Sequence, residues 1–450
     1  MPLKTMSRRR ASFNIHGLLL GLAVLVAVTG GLRFFLTGGS AANGKTRIAF
    51  WNGFTGPDGI VMLKIIENFN KQNPDVEVVM QRIPWATYYN KLTVAGSDGR
   101  GPEIFVVHAD ALARIRRAGF VEDVTDLYEG PDGLPKSDFD DSVIEQVDFE
   151  GRSFAVPLDI HPQGLYLNKQ MLKDVGFVDD KGEPRAPKTK AEFLDLMKRT
   201  TIEPGGDLKE KQWGFALTGW GPNFRSLVPQ FGGGYVDEDG NPTLNRPENV
   251  KALEFLGELT AKKLVPPPDN GLGWFGFRTK RAAMVWDGVF MLGDLIRLND
   301  LEYMGAPLPA IGDRPGTLAN SHLLCLKKNL SEKERAGAAR FVKYLSEHSL
   351  EWAAAGQVPT RKSVRAKPEF KELQVQAAFA EQIPTMLYPP RTPVIFEFML
   401  EVDRATEKVL RGQATAKEAL DEAQRTSQTV IDRDRREYPE SYENGTGRPL

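Results

Sequence analysis

The stretch from Phe154 to Lys169, FAVPLDIHPQGLYLNK, limits the possible fold more than any other segment of the chain. It begins as an apolar strand, breaks at a proline, carries an acid and a histidine, and then resumes strand character. Because proline is confined to the edges and ends of sheets, a strand that stops and restarts in this way predicts a crossing between two lobes. The acid and the histidine, Asp159 and His161, are then expected to lie in the gap between those lobes.

The size and composition of the chain exclude several classes of protein. At 450 residues it is too long for one small core, which predicts more than one domain. Hydrophobic residues at 41% and charged residues at 26% are typical of a globular protein. The net charge of −1 provides no field that attracts a phosphate backbone, so nucleic acid is not an expected partner. The one cysteine, Cys325, lies in an apolar run and is expected to be a buried thiol.

The first 44 residues have the pattern of an export signal, because basic residues precede an apolar run at 15–32. As a helix this run would span about 27 Å, close to the roughly 30 Å of a bilayer core. Two interpretations stay open: residues 1–44 are a cleaved signal peptide or an N-terminal membrane anchor. Both predict that the rest of the chain lies on the periplasmic or extracellular face of the membrane.

After the export signal, strands alternate with helices. The sequence predicts strands at Arg47–Phe50, Val76–Ile83 and Glu103–His108, and a helix at Ile60–Asn70 whose apolar residues recur at helical spacing. Strands separated by helices favour a mainly parallel sheet that is covered on both faces. Ligands of such sheets bind beyond the carboxyl ends of the strands, so the segments that follow these strands are candidates for a binding site.

The second half of the chain predicts a further α/β unit. A short strand is expected at Ala282–Trp286, and a helix at Ser331–Ser346 begins with a capping box. Pro/Gly-containing links at Gly305–Lys327 and Gly356–Ser363 predict two more crossings.

Strings in both halves, such as IAFWNGFTGPDG, AVPLD…LYLNK and AAMVWDG, resemble one known family in order and spacing. This family is the extracellular solute-binding proteins, family 1, of ABC importers, the group of maltose-binding protein. The resembling segments are Ile48–Val78, Lys91–Asp110, Ala155–Lys169, Ala282–Gly288, Ala339–Ser346 and Leu410–Ala423. The resemblance implies an α/β chain with the two-lobed periplasmic-binding-protein fold (type II), in which crossing hinge segments join the lobes and the lobes close on a sugar.

The resemblance also carries expectations about domains and partners. Lobe 1 is expected to comprise residues 45–157 and 322–360, and lobe 2 residues 158–321 and 361–435, followed by a frayed tail at 436–450. The expected partners are a carbohydrate ligand and the permease subunits and ATPase of an ABC importer, with the protein itself a monomer without a cofactor. One departure from the family is Asp287, which places an acid where the resemblance would place an asparagine, and the specific ligand therefore stays open.

The candidate ligand-binding residues are those whose chemistry suits a sugar. Aromatic rings pack on the apolar faces of a sugar, and planar polar groups bond its hydroxyls. The candidates are Trp51, Trp85, Tyr89, Asp110, Asp159, His161, Trp220, Tyr235, Trp274, Trp286, Asp287 and Arg361. Competing structural roles stay open for several of them, including lobe core for Trp51, a helix cap for Asp110 and a surface salt bridge for Arg361.

Other types of site find no support in the sequence. Residues 271–276 fit G-x-G-x-x-G but follow a Pro-rich turn rather than a strand, which argues against a dinucleotide site. Residues 237–248 carry acids at calcium-loop positions, but Pro242 replaces the required glycine, which favours a hairpin turn. The five histidines are scattered without metal-ligand spacing, so no metal site is expected. The arginines of residues 114–117 are expected on a solvated helix face.

Three alternatives to a sugar-binding transport protein stay open. Acids beside aromatics would also hold a cation such as a polyamine. An exported carbohydrate-active enzyme would use two carboxylates, although no spacing marks such a pair and the chain is not expected to be an enzyme. The same fold could also report to a sensor instead of an importer.

Overall fold

The structure is a computed structural model that describes residues 44–204, 211–268 and 271–442. The apolar run at 15–32 and the end of the chain after residue 442 lie outside these ranges. Within the ranges, no helix combines the length and the apolar character that a membrane crossing requires.

The strands and the α-helices are each numbered in chain order. The strands are β1 (Thr46–Asn52), β2 (Val76–Arg82), β3 (Ile104–His108), β4 (Asp148–Phe149), β5 (Arg152–Ser153), β6 (Val156–Pro157), β7 (Asp159–Ile160), β8 (Gln163–Asn168), β9 (Trp213–Leu217), β10 (Ala282–Gly288), β11 (Tyr303–Ala306), β12 (Thr317–Leu318), β13 (His322–Leu326), β14 (Val358–Pro359) and β15 (Met386–Leu387). The α-helices are α1 (Pro57–Gln72), α2 (Trp85–Ser97), α3 (Leu112–Arg117), α4 (Asp141–Val147), α5 (Lys169–Asp174), α6 (Lys190–Thr200), α7 (Trp220–Leu227), α8 (Pro247–Ala261), α9 (Gly273–Arg278), α10 (Leu292–Leu295), α11 (Glu332–Glu347), α12 (Ser349–Ala353), α13 (Lys362–Arg365), α14 (Pro368–Lys371), α15 (Gln374–Ala380), α16 (Ile395–Leu410) and α17 (Ala416–Glu437).

The first lobe is built on a sheet of order β2-β1-β3-β13-β6. As the alternating pattern predicts, β1 runs parallel to β2 and β3. The other two strands differ, since β13 is antiparallel to both β3 and β6. The apolar strand β3 is buried along nearly its whole length because helices cover both faces of this sheet.

The second lobe is built on a sheet of order β11-β8-β10-β9. Strand β10 is parallel to β9 and antiparallel to β8, and the six residues of β8 are all buried. The helices α16 and α17, from the end of the chain, pack against each other and against α8. This sheet and these helices enclose the apolar core of the second lobe. The fold is therefore two-lobed α/β, as the sequence predicts.

The connections between the two sheets pair with each other. In the first crossing, β7 forms an antiparallel pair with β14, which belongs to the third crossing. The hydroxyl of Thr360 also donates to the backbone oxygen of Pro157, 3.0 Å away. In the second crossing, β12 pairs with β15. The crossings are thus a small hydrogen-bonded unit rather than three separate loops.

Residues on both sides of the gap touch, so the lobes are closed on each other. Arg117 on α3 makes an ion pair with Asp434 on α17, 2.6 Å away, and Arg114 pairs with Glu397 at 3.2 Å. The solvated helix face expected for these arginines is therefore wrong. Such pairs between partly buried charges contribute little to global stability, but they fix the relative position of the elements that carry them.

Residues 436–442, which belong to the predicted frayed tail, are ordered, and the rest of that tail lies outside the described residues. Helix α17 continues to Glu437 and a 3-10 turn follows at Pro439–Tyr442, where a frayed tail was expected from residue 436. The Tyr442 hydroxyl donates to Asp434, 2.5 Å away, so the ion pair with α3 also holds this turn.

Three local predictions are confirmed. Ser331 and Glu334 form the capping box at the start of α11. Cys325 is fully buried and free. The segment with calcium-loop spacing is a hairpin turn, with Val236 bridged to Pro242.

Candidate functional site

A cavity of about 320 Å³ lies between the two lobes. We call it the histidine cavity, and its lining residues are Gly53, Thr55, Gly56, Pro57, Asp58, Trp85, His108, His161, Phe290, Gly293, His322, Ala355 and Gln357. Its volume is at the lower end of the range for small-molecule sites, about 300–1,000 Å³. A ligand of the size of a mono- or disaccharide would occupy it.

Three histidines from three segments meet in this cavity. His108 ends β3 and His322 begins β13, and the antiparallel register of these two strands places the two residues directly opposite each other. His161 follows β7 in the first crossing, and its backbone N–H donates to Asn320 in the second crossing. The sequence analysis predicts His161 as a site residue, but it names neither His108 nor His322 among the candidates.

The three imidazole rings are close enough to act on one bound atom. Their centroids are 5.6 Å apart for His108 and His161, 5.0 Å for His108 and His322, and 4.6 Å for His161 and His322. One ring nitrogen from each residue lies within 4.8 Å of the others. The expectation that the histidines are scattered is therefore wrong for these three.

The fully buried Asp159 orients two of the three rings. Its carboxylate lies 2.8 Å from Nδ1 of His322 and 3.3 Å from Nδ1 of His161. It also accepts the backbone N–H of His322 at 2.9 Å and the indole N–H of Trp352 at 2.6 Å. The sequence predicts Asp159 as a ligand contact. In the structure, its carboxylate instead positions the side chains that face the cavity.

Tyr89 orients the third ring. Its hydroxyl oxygen accepts the backbone N–H of His108 at 2.9 Å and lies 2.7 Å from Nδ1 of the same residue. The Tyr89 ring packs at 5.1 Å against Phe396 on α16, so this side chain also spans the two lobes.

Burial and neighbouring charges shift the pKa values of these groups. Burial, and then the charges of the two neighbouring histidines, hold the pKa of His108 well below its usual value. Burial also lowers the pKa of His161. Burial alone would raise the pKa of Asp159, but the charges and hydrogen bonds of His322 and His161 lower it well below its usual value. The cluster therefore combines an ionised aspartate with two imidazoles, those of His108 and His161, whose lowered pKa values favour the neutral form.

Trp85 forms an aromatic wall of the cavity. Its ring lies parallel to that of His322, with centroids 5.8 Å apart and planes 9° apart, and it is partly exposed. The wall requires a glycine beside it, because a Cβ added to Gly53 would lie 2.1 Å from the Trp85 ring. The face of an indole ring that is open to a cavity is suited to the apolar face of a sugar.

The second lobe contributes Phe290 and Gly293 to the opposite wall. Phe290 is 46% exposed, which is unusual for a phenylalanine in a folded protein. Polar groups complete the lining. Burial raises the pKa of Asp58, and Oε1 of the buried Gln357 finds no hydrogen-bond partner among the described residues.

Four of the predicted site residues contact or support the cavity: Trp85 and His161 line it, while Tyr89 and Asp159 hold its histidines. Sequence reasoning missed other lining residues. One available signal was the position of His108 at the carboxyl end of the third strand, where ligands of parallel sheets bind. The lining residues that the prediction missed include His108, His322, Phe290, Asp58 and Gln357.

Other predicted residues lie in the lobe cores or in structural contacts. Trp286 is fully buried between Phe193 and Phe215, because both faces of β10 are covered, and a change there would act on folding. Trp51 and Tyr235 also lie in the lobe cores, where they are 9% and 4% exposed. Arg361, Asp110 and Asp287 are outside the cavity lining too.

Each of these three polar side chains has a local partner. Arg361 makes a half-buried ion pair with Asp138, 2.7 Å away, and does not face the cavity. Burial raises the pKa of Asp110, against a hydrogen bond with the Asn320 side chain that lowers it, and the Asp110 side chain does not cap the helix. Asp287 accepts the backbone N–H of Gly288 at 2.7 Å.

Trp220 and Trp274, which the sequence predicts as ligand-binding residues, line a different cavity of about 300 Å³. Both rings are partly exposed, and Nε1 of Trp274 donates to Asp294, 2.8 Å away. We call this cavity the proline groove, lined among the described residues by Leu217, Thr218, Trp220, Thr260, Pro266, Pro267, Pro268, Gly271, Leu272, Gly273, Trp274 and Phe275. It is built from residues of the second lobe alone.

Comparisons with known proteins agree on one family. Residues 64–377 match the profile of the family described as bacterial extracellular solute-binding protein. The chain is 24% identical over 381 residues to the maltotriose-binding protein of Pyrococcus abyssi, covering 82% of this chain and 78% of that one. It is 23% identical over 350 residues to the arabinooligosaccharide-binding protein of Bacillus subtilis, covering 74% and 77%.

Solved structures show the same fold. The maltose/maltodextrin-binding domain MalE from Bdellovibrio bacteriovorus, bound to maltotriose, superposes with a TM-score of 0.73 at 23% identity, covering 86% of this chain and 100% of that one. The substrate-binding protein Lmo0181 from Listeria monocytogenes, in complex with cycloalternan, also gives 0.73, at 21% identity, with 86% and 99% covered.

Proposed function

The chain belongs to the bacterial extracellular solute-binding proteins, and we propose that it binds a sugar, a short oligosaccharide or a polyol in the histidine cavity. The single observation that carries this proposal is the cavity itself, in which a partly exposed indole ring lies beside polar groups between two lobes. The names of the relatives support it, since those quoted above are called binding proteins for maltotriose and arabinooligosaccharide.

The walls of the cavity suit the two kinds of surface that a sugar presents. The Trp85 ring on one lobe and the exposed Phe290 ring on the other offer apolar faces. The Gln357 oxygen and the Asp58 carboxylate can accept hydrogen bonds from hydroxyl groups, and Gln357 has no other partner among the described residues. A ligand that contacts both rings stabilises the closed arrangement, because neither lobe alone supplies both walls.

We divide the chain into lobe 1 at residues 45–157 and 322–360 and lobe 2 at residues 158–321 and 361–435. The paired crossings, β7 with β14 and β12 with β15, act as the hinge. In transport, the closed protein delivers its ligand to the permease subunits of an ABC importer, which an ATPase drives. Residues 1–44 direct export and are either removed or kept as an anchor. The protein acts as a monomer and catalyses no reaction.

The test is a carbohydrate panel with two matched phenylalanine variants. Ligand binding by wild type is measured by calorimetry against mono- and oligosaccharides, polyols and polyamines, and each variant is then measured with the same ligand. Phe290→Ala removes a wall of the histidine cavity, whereas Phe275→Ala removes a ring of similar exposure, 57% against 46%, from the proline groove. We expect the first to weaken binding by about 1–2 kcal/mol, as loss of a stacked aromatic does, and the second to leave it unchanged.

Three outcomes would contradict the proposal in different ways. A larger loss in Phe275→Ala would move the sugar to the proline groove. Binding of polyamines but of no carbohydrate would replace the ligand class, with Asp58 as the counter-charge. If neither variant changed the affinity for a carbohydrate that wild type binds, both cavities would be excluded.

A further inference from the structure

Three of the five histidines of the chain point to a use of the histidine cavity beyond sugar binding. We propose that His108, His161 and His322 bind one divalent transition-metal ion of the zinc type at the floor of this cavity. The proposal stands on the histidines and their partners, and it holds whether or not the cavity also takes a sugar.

The spacing of the rings is that of a common metal site. Imidazole nitrogens bind zinc at about 2.0–2.1 Å, which places the centroids of three ligating rings about 5 Å apart in a tetrahedral arrangement. The observed separations are 4.6, 5.0 and 5.6 Å. One ring nitrogen of each residue, Nδ1 or Nε2, already lies within 4.8 Å of the others, so the three rings are close enough to bind one ion after rotation of their side chains.

The partners of the rings supply a second argument. A histidine that binds a metal almost always gives its other ring N–H to a carboxylate, a carbonyl or another oxygen. Here Nδ1 of His161 and of His322 lies beside the Asp159 carboxylate, and Nδ1 of His108 lies beside the Tyr89 hydroxyl. When Nδ1–H donates to these oxygens, each Nε2 carries a lone pair that can bind a metal, and no Nε2 atom of the three makes a hydrogen bond within the described part of the chain.

The donor set also selects the kind of metal. Three imidazoles suit zinc, copper and nickel, whereas magnesium and calcium prefer sets of oxygen ligands. The buried negative charge of Asp159 offsets part of the charge of the ion. Because only three protein ligands are present in the cluster, a fourth position would remain for water or for an oxygen of a bound ligand.

A simpler alternative is that the three rings only form hydrogen bonds with sugar hydroxyls. That role would not require the three rings to converge on one atom. It predicts that the protein has no affinity for a metal in the absence of the sugar. The deciding experiment therefore measures metal binding alone.

Full-length protein without a histidine tag is freed of metal with a chelator, and Zn²⁺ is then titrated in the absence of any carbohydrate. We expect one ion per chain with a dissociation constant below about 1 μM, a modest value for a three-ligand site. Co²⁺ should give the visible spectrum of a tetrahedral site with nitrogen ligands. Ca²⁺ and Mg²⁺ should not bind.

Variants assign the ion to the cluster. We expect His108→Gln, His161→Gln and His322→Gln each to weaken Zn²⁺ binding at least about 100-fold, since even loss of an outer partner costs 10–100-fold. His348→Gln is the matched control, because its ring stacks on Tyr344 at the end of α11, outside the cluster. Circular dichroism of the metal-free variants shows whether each one folds, and the Co²⁺ spectrum of wild type tests the site without any substitution.

The proposal is overturned if wild type binds no Zn²⁺, if the Co²⁺ spectrum is that of an octahedral oxygen site, or if all three cluster variants bind as wild type does. Its failure is distinguishable from that of the sugar proposal. Zn²⁺ binding without any carbohydrate binding would keep the metal site and remove the sugar. Carbohydrate binding in the presence of chelator, with no affinity for Zn²⁺, would do the reverse.

Discussion

The histidine cavity and the proline groove have nearly equal volumes, about 320 and 300 Å³, and one partly exposed tryptophan lines the first while two line the second. The two cavities differ in the residues that support their lining. Behind the histidine cavity, a buried carboxylate organises rings from different crossings and both lobes contribute walls. The lining of the proline groove is local, since it comes from residues 217–275 of one lobe. Similar volume therefore does not make two cavities equivalent, since of these two only the histidine cavity has walls from both lobes.

The largest expected effect comes from removing the hydrogen bonds that Asp159 accepts beneath the histidine cavity. In Asp159→Asn, an amide N–H₂ replaces one of the carboxylate oxygens that accept from His161, His322 and Trp352, so buried donors lose their partner. We expect a loss of about 3–5 kcal/mol in the free energy of unfolding, typical of breaking a buried charged network. Urea unfolding of the variant measures it, with Asp58→Asn on the cavity wall as control. A loss below about 1 kcal/mol would show that the network does not hold the cavity together.

The next largest effect concerns Asp287, the acid behind the proline groove. Burial raises the pKa of Asp287 to about 6, against hydrogen bonds from Gly288 and Thr218 that lower it. Between the unfolded pKa and this value the native state holds a proton that the unfolded chain has released, so stability falls as pH rises through about 6. We expect Asp287→Asn to stabilise the protein by about 2 kcal/mol at pH 8, with no difference at pH 4 or below. Denaturant unfolding across this range checks the sign, and a variant less stable than wild type at pH 8 would contradict it.

A third effect compares the glycines of the two cavities. Gly53→Ala places a Cβ 2.1 Å from the Trp85 ring, so the wall of the histidine cavity must move, at a cost of about 1–3 kcal/mol. Gly271→Ala in the proline groove meets no atom of the described residues within 4 Å, but its φ of +68° is unfavourable for alanine, at about 1 kcal/mol. Thermal unfolding gives both values. Only the first should also lower affinity for a bound ligand, and equal effects on affinity would remove the distinction between the two cavities.

The smallest effect separates the two tryptophans. Trp85→Ala should weaken ligand binding by about 1 kcal/mol or more, because it removes the aromatic wall between the lobes. Trp274→Ala should leave affinity unchanged while it frees the Asp294 carboxylate of its indole donor. Calorimetry with the ligand found in the panel measures both, and the reverse order of effects would assign the site to the proline groove.

Much of the architecture could be predicted because it depends on local patterns. The broken strand around Asp159 is a crossing, the alternation of strands and helices builds a sheet whose first strands are parallel, and Ser331 caps its helix. Each of these outcomes is set by residues close in sequence, where proline, apolar spacing and capping chemistry act directly.

The candidate site was only half predictable, and the tryptophans show why. Trp85 and Trp286 both follow or end a strand, but one faces the cavity and the other is fully buried between two phenylalanines. A strand that is covered on both faces has no polar side in its sequence, so periodicity does not tell which aromatic residue meets solvent. The second layer of helices decides this, and that layer is assembled from distant parts of the chain.

By itself, the sequence determined the two-lobed fold, the family and the presence of His161 in a crossing between lobes. Only the tertiary structure decided that His108 and His322 join it, since 53 residues separate the first from His161 and 161 separate the second. The register of β3 with β13 sets that meeting, and Asp159 fixes the rings once they are there. Strand pairing over such distances depends on the packing of whole lobes, which no local spacing in the chain encodes.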